Sequence, residues 1–178
     1  FLAIPDELMS VKIDEEKVPV YPSAQYRKVD MGAGDPDWIE QAAELLANSK
    51  KPYLHAGKGV LWADASAEFL ELGNYLAAGM GSSMGARGAI PEDHPHYFFL
   101  FDMQATSLAR NEADVVLVVG SRLGETDWWG KAPYWGTPDE QQMIQVDLDA
   151  EIIGSSRPVD LAVHAEVMAE KERSDRLL

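Results

Sequence analysis

Asp114-Val115-Val116-Leu117-Val118-Val119-Gly120 is the stretch on which the fold turns. Residues 115–119 leave no polar position for a solvated face. A strand here must therefore be covered on both sides, as the central strand of a parallel sheet is by flanking helices. Gly120-Ser121-Arg122 then turns the chain out of the strand's carboxyl end.

Working outward, Tyr53-Leu54-His55-Ala56 reads as a second short buried strand, entered from Lys51-Pro52 and left through Gly57-Lys58-Gly59. Met143-Ile144-Gln145-Val146-Asp147 and Asp160-Leu161-Ala162-Val163-His164 read as later strands, and residues 77–83 as a weak, glycine-rich one. Helical patterns fill the gaps. Asp35-Pro36 supplies an N-cap and a proline at the first helical position, and Trp38, Ala42, Leu45 and Leu46 share the face of a helix that stops near Asn48. An Asp64 cap opens a second helix with Ala65, Phe69, Leu72 and Leu76 on one stripe. Residues 84–95 read as an ordered loop, 103–111 as a third helix, and a short helix follows Asp149. The expectation is an α/β fold: an open, mostly parallel doubly wound (Rossmann-like) sheet of about six strands with helices on both faces.

The chain has 178 residues, enough for one well-buried domain. Its 30 acidic and 15 basic residues give a net charge of −15, which repels phosphate backbones and anionic lipids; no nucleic-acid partner is expected. The apolar runs are far shorter than the roughly 20 residues that span a bilayer, so no membrane is expected either. Without cysteine there is no disulfide framework, which fits a reducing compartment and a cytoplasmic location. Residues 1–34 read as a linker rich in Pro, Gly and charge, and 35–178 as the folded domain. The opening Phe1-Leu2-Ala3-Ile4-Pro5 resembles the end of a buried strand, and residues 167–178 a polar helix; both ends suggest excision from a larger parent.

In an open α/β sheet, ligands lie beyond the carboxyl ends of the strands. Three such ends carry candidate groups. Gly57 and Gly59 would let backbone amides approach a pyrophosphate, with Lys58 between them. Ser121 and Arg122 add a hydroxyl and a guanidinium fork, and Asp147 or Asp149 could accept from a ribose hydroxyl. Each is equally what a tight turn needs, but together they outline a nucleotide-shaped cleft. His94 and His96 have no third ligand near them in sequence, which argues against a metal; His55 and His164 read as core or edge strand residues. The aromatic group Trp128, Trp129, Tyr134 and Trp135 is too apolar to leave in water without cause. It packs against a neighbouring domain or subunit, or it walls a substrate pocket.

The order of segments resembles the central domain of thiamine-diphosphate enzymes of the acetolactate synthase and 2-oxo acid decarboxylase type. Four stretches carry the likeness: residues 1–6; Lys51-Pro52 through Val60; Gly88-Ala89-Ile90-Pro91-Glu92-Asp93-His94-Pro95; and residues 113–123 with 144–149 and their continuations. The resemblance implies a parent of three α/β domains. Its pyrimidine-binding domain would supply a cofactor-activating glutamate and its diphosphate-binding domain a magnesium site. Thiamine diphosphate would there attack a 2-oxo acid for decarboxylation or carboligation, as a lyase or transferase and as a homo-dimer or tetramer. No Gly-Asp-Gly segment with downstream paired Asn is present, so no catalytic residue is assigned here and the chain alone is expected to be inactive. Some relatives bind FAD or ADP across this domain. Lys58 in place of a glycine would crowd a pyrophosphate or attract one by its charge, and the two departures, Lys58 and the lack of a glycine-rich segment at Phe101-Asp102-Met103-Gln104, lean against FAD. They leave the cleft vestigial or occupied by an adenine nucleotide. The alternative is an autonomous NAD-, FAD- or ADP-binding domain of related fold.

Overall fold

The structure, a computed structural model, describes residues 3, 5–19, 21–22 and 32–165. The chain divides into two compact units, Phe1–Asp30 and Met31–Leu178. The first holds a one-turn helix, α1 (Asp6–Met9), and a 3-10 turn at Glu15–Lys17. The helix expected over 167–178 and most of the opening apolar stretch lie outside the described residues.

The second unit is a five-stranded, wholly parallel sheet with strands β1 (Pro52–Ala56), β2 (Gly79–Ser82), β3 (Val115–Val119), β4 (Gln142–Asp147) and β5 (Leu161–His164). Its order is β2-β1-β3-β4-β5, the doubly wound arrangement expected from sequence. A single bridge from Met80 to Tyr97 adds an incipient sixth strand beside β2. The chain leaves β1 for the edge at β2 and then crosses back to β3, so the direction of winding reverses between β1 and β3.

Alternation along the strands sorts the core into two layers. Leu54, Ala56, Leu117, Val119, Ile144 and Val163 face one side, covered by α2 (Pro36–Asn48), α3 (Lys58–Trp62) and α4 (Ser66–Tyr75) through Leu46, Val60 and Phe69. Tyr53, Val116, Val118 and Met143 face the other side, covered by α5 (Met103–Glu112) and the segment that carries Leu123 and Trp135. All of β3 is buried, as its sequence requires.

Local chemistry sets the ends of the helices. Asp35 accepts a hydrogen bond from the Asp37 amide ahead of Pro36, and Asp102 accepts one from the Ala105 amide at the start of α5. Several expectations need correction. Gly57-Lys58-Gly59 is no open loop, because Lys58 begins α3, closed by the Ala63 amide donating to the Gly59 carbonyl. Asp64 therefore does not cap α4; it takes a left-handed conformation, φ 56°, as the chain leaves α3. The short helix expected after Asp149 is a run of turns through Gly154, whose φ of 74° no helix accommodates. Trp38, placed by its spacing on the buried face of α2, is exposed; Leu46 alone of that helix is fully buried.

Candidate functional site

Two rows of residues cross the sheet near its carboxyl end. In the upper row the backbones of β1 and β3 meet at glycines. Gly57 donates to the Val119 carbonyl at 2.8 Å, Gly59 to the Gly120 carbonyl at 3.1 Å, and Gly120 to the Val146 carbonyl at 2.8 Å. Gly120 has φ +62°, and a Cβ on it would stand 2.6 Å from the Cα of Gly59. The place where winding reverses is thus a seam of backbone against backbone, and the two glycine amides already have partners within it.

The other sequence-derived candidates lie around this seam. Ser121 is buried; its hydroxyl accepts from the Leu123 amide at 3.2 Å and reaches Asp127 Oδ2 at 3.4 Å. Arg122 is exposed and lies along Gly124. Lys58 Nζ sits 4.4 Å from the centre of the Trp62 ring, a cation over an aromatic face. Asp147 Oδ1 and Asp149 Oδ1 each accept a backbone amide two residues on, shaping the turn after β4.

Below the seam lies a polar layer that sequence reasoning missed. His55, Val118 and Gln145 are register partners across β1, β3 and β4. Gln145 Nε2 donates to the Ser121 carbonyl at 2.9 Å, and its Oε1 accepts from the Gly154 amide at 2.9 Å, locking both strand-end turns. His55 Nε2 is 3.3 Å from Asp127 Oδ1, and the rings of His55 and Trp135 meet edge to face at 5.3 Å. Trp135 Nε1 donates to the Asp127 carbonyl at 2.7 Å, and the Arg110 guanidinium lies 4.3 Å over the Trp135 ring. Arg157 Nη1 bonds the carbonyls of Gly130 and Gly136 and Gln141 Oε1, while Gln141 Nε2 bonds the carbonyls of Arg110 and Ala113.

Electrostatics fix the charge states of this layer. Burial pushes the His55 imidazole below its ordinary value, only partly offset by the attraction of Asp127. Burial pushes Asp127 up, but His55, Arg110 and the Ser121 hydroxyl together outweigh it and hold the carboxyl below the usual range. Tyr53 is raised by burial against the pull of Arg110. The layer therefore holds Asp127 as a carboxylate beside a neutral His55, and the Arg110 guanidinium acts on it through space rather than by a hydrogen bond. In the series Ser121, Asp127, His55 the carboxylate stands in the middle. A nucleophile needs its base beside it and access to substrate, and this order provides neither, so the cluster braces the fold.

Elsewhere, a cleft of about 360 Å³ lies at the amino end of the sheet, between α2 and the starts of β3 and β4. There Asp114 accepts from the Ser49 hydroxyl and from the amides of Lys50 and Lys51, tying the entry of β1 to β3. His94 accepts from the His96 amide on Nδ1 and faces Asn74 Oδ1 with Nε2, so both of its ring nitrogens are engaged. Among the described residues there is no group of three or more His, Cys, Asp or Glu placed to hold a metal ion. No helix among them is long and apolar enough to cross a membrane.

A parallel sheet with this strand order and a sealed crossover between β1 and β3 defines a Rossmann-like domain. Residues 39–169 match the family model for the thiamine pyrophosphate enzyme, central domain, and the chain belongs to that family. It is 30% identical over 169 residues to "Probable acetolactate synthase large subunit" of Methanocaldococcus jannaschii, with 90% of this chain and 27% of that protein covered. It is 31% identical to sulfoacetaldehyde acetyltransferase of Castellaniella defragrans, covering 83% of this chain and 25% of that one. The solved structure of benzoylformate decarboxylase from Polynucleobacter necessarius shares the fold, with a TM-score of 0.62 at 19% identity over 84% of this chain and 28% of that one. The chain thus spans between 25% and 28% of the length of these proteins.

Proposed function

We propose that this chain is the central, non-catalytic domain of a thiamine-diphosphate- and Mg2+-dependent enzyme that decarboxylates or joins 2-oxo acids. The cofactor would be held by flanking pyrimidine- and diphosphate-binding domains of a homo-dimer or tetramer in the cytoplasm. The observation that carries this reading is the family match over residues 39–169 on a chain that spans about a quarter of its relatives. Two structural facts support it. The described residues offer no carboxylate cluster for a metal-bridged diphosphate. Ser121, Gln145 and the Trp135 indole under the carboxyl ends are buried and bonded to protein partners. The described residues do not fit a metal-bridged diphosphate, and in this reading no step of the cofactor's chemistry runs through them. The chain's own part is mechanical: a rigid sheet whose strand-end turns are fixed by Gln145, Asp127 and Arg157.

The test is turnover by the full-length gene product on pyruvate and bulkier 2-oxo acids, with and without thiamine diphosphate and Mg2+. Cofactor-dependent loss of the 2-oxo acid supports the proposal. Turnover by residues 1–178 alone, or none by the full-length product on any 2-oxo acid, contradicts it.

One observation favours a second reading, an adenine nucleotide such as ADP across the same end. Exposed cations flank the seam, Lys58 after β1 and Arg122 after β3, with Asp147 and Asp149 beyond β4 to accept from a ribose. In that reading Gly57, Gly59 and Ser121 form the floor beneath the ligand and donate nothing to it. FAD is the poorer candidate, because no glycine-rich segment stands at Phe101-Asp102-Met103-Gln104 to let a flavin approach the backbone.

A further inference from the structure

Most of the exposed large apolar side chains of residues 32–165 lie at one end of the sheet, Leu108 midway along α5 being an exception. All five strands are parallel, so every segment leaving one emerges at the same end. Trp62, 76% exposed, lies six residues after β1; Met84 follows β2; Trp128 and Trp129 follow β3; Leu148 follows β4. The helices that run back add to this end. α5 finishes just before β3 begins, which places Phe101, 57% exposed and ahead of its first turn, at the carboxyl end. α2 finishes just before β1, and at about 1.5 Å per residue it is long enough to bring Trp38 and Ile39, in its first turn, to the same end. The amino end carries Tyr75, 85% exposed, at the close of α4.

The tryptophans after β3 are held outward under strain. Trp128 and Trp129 both take left-handed backbone conformations, φ 55° and 52°, which bulky side chains rarely adopt. The Trp129 amide bonds the Gly124 carbonyl at 3.1 Å, the Lys131 amide bonds the Trp128 carbonyl at 3.0 Å, and the Trp128 ring stacks on Tyr134 at 4.0 Å. Buried Asp127 anchors the base of the loop through Trp135 and Ser121. Folding thus fixes an indole pair in water, on the end already richest in exposed aromatics.

We infer that this carboxyl-end crown is the docking face for a flanking domain of the same polypeptide, one that presents an apolar surface with a basic rim. The inference rests on the proposed function and specifies the surface its neighbouring domain would use. At 150–250 Å² for a fully exposed aromatic, Trp38, Trp62, Phe101, Trp128 and Trp129 together show on the order of 500 Å². That exceeds half of one side of a standard interface, roughly 800 Å² per partner. Roughly three quarters of the length of the matched relatives lies outside the part this chain spans, so a covering segment is available in proteins of that size. A second copy is the poorer occupant, because two bodies of net charge −15 repel and the rim carries Asp37, Asp102, Glu125 and Asp149. Those four carboxylates outnumber the exposed Lys58 and Arg122 at the same end, which calls for lysine and arginine on the partner.

Hydroxyl-radical footprinting of the full-length gene product, read residue by residue against the same protein unfolded in urea, tests this. Trp62, Trp128 and Trp129 should be protected several-fold while Tyr75 is oxidised nearly as fast as in the unfolded chain. Crown tryptophans as reactive as Tyr75 would overturn the inference. Protection that disappears on dilution would overturn it too, in favour of a second copy. Turnover on 2-oxo acids, measured on the same sample, separates the two claims. A protected crown without cofactor-dependent turnover removes the proposed function and keeps the interface, whereas turnover with an exposed crown does the reverse.

Discussion

Gly57 and Gly120 touch backbone to backbone: a Cβ on Gly57 would stand 2.1 Å from the Gly120 carbonyl oxygen and 2.5 Å from Ser121 Cα. Nothing flexible lies in that gap, so a side chain can enter only by parting β1 from β3 in the middle of the sheet. Gly57→Ala should cost about 3 kcal/mol or more, at or beyond the upper end of overpacking effects. Gly32, with no atom within 4 Å of its Cβ position, is the control, and Gly32→Ala should change stability by less than about 0.5 kcal/mol. Urea midpoints of the two variants check the contrast.

Asp127 holds a buried negative charge between His55 and Arg110, with Ser121 and Trp135 bonded to the same residue. Asp127→Ala removes the carboxylate beside His55 and Ser121 and its field on Arg110, while the Trp135 bond to the backbone carbonyl of residue 127 remains. The expected loss is about 1–3 kcal/mol, the range for leaving buried hydrogen-bonding groups without their partner. Chemical denaturation measures that loss, and a blue- or red-shifted tryptophan emission should accompany it.

Acid should unfold the domain in two stages. The pKa of His55 lies below its unfolded value of 6.5, so the unfolded chain takes up a proton that the folded chain refuses. Stability from this site is complete above that value and falls as the pH drops below it, by at most about 1.4 kcal/mol per pH unit for one proton. Asp127 is depressed below 3.8, so its contribution is present above that value and is lost as the pH falls through its folded pKa. Stability followed from neutral pH to about pH 5 isolates the first stage, and His55→Gln should abolish the slope there.

The tryptophans of one loop should respond oppositely. Trp135 is fully buried against Tyr53, His55 and Arg110, so Trp135→Ala should cost about 3–5 kcal/mol. Trp129 is 47% exposed and strained, and asparagine tolerates its backbone conformation; Trp129→Asn should change stability by less than about 1 kcal/mol. Thermal unfolding of the two variants separates the residue that builds the core from the one held out in solvent.

The contrast between those two tryptophans also shows where sequence reading stops. β3 is legible because five apolar residues in a row admit one environment, and β1 because a glycine ends a short buried run. His55 in an apolar run reads correctly as core, and His164 on the edge strand β5 is exposed, with its Nε2 at the Leu148 carbonyl. Trp135 could not be told from Trp128 and Trp129, because the loop has no period and its left-handed turns decide which ring points inward. Arg110 and Asp127 are ordinary surface residues by type, and their burial depends on packing around Trp135 that no local pattern carries. One signal was present: Thr106 and Arg110 lie four apart on α5 and share its buried face. Helix α3 was missed because Gly57-Lys58-Gly59 looks like a loop until the Gly59 carbonyl is seen accepting from Ala63.

The central claim is that this domain supports thiamine-diphosphate chemistry without holding the cofactor itself. Thermal unfolding of the 178-residue chain, followed by its tryptophans with and without saturating thiamine diphosphate and Mg2+, tests it most directly. A ligand of the native state at 100 times its Kd adds about 2.7 kcal/mol, which raises the midpoint of a domain this size by several degrees. The account predicts an unchanged midpoint with thiamine diphosphate and Mg2+. A rise of several degrees with that pair would place the cofactor site within this chain and contradict it.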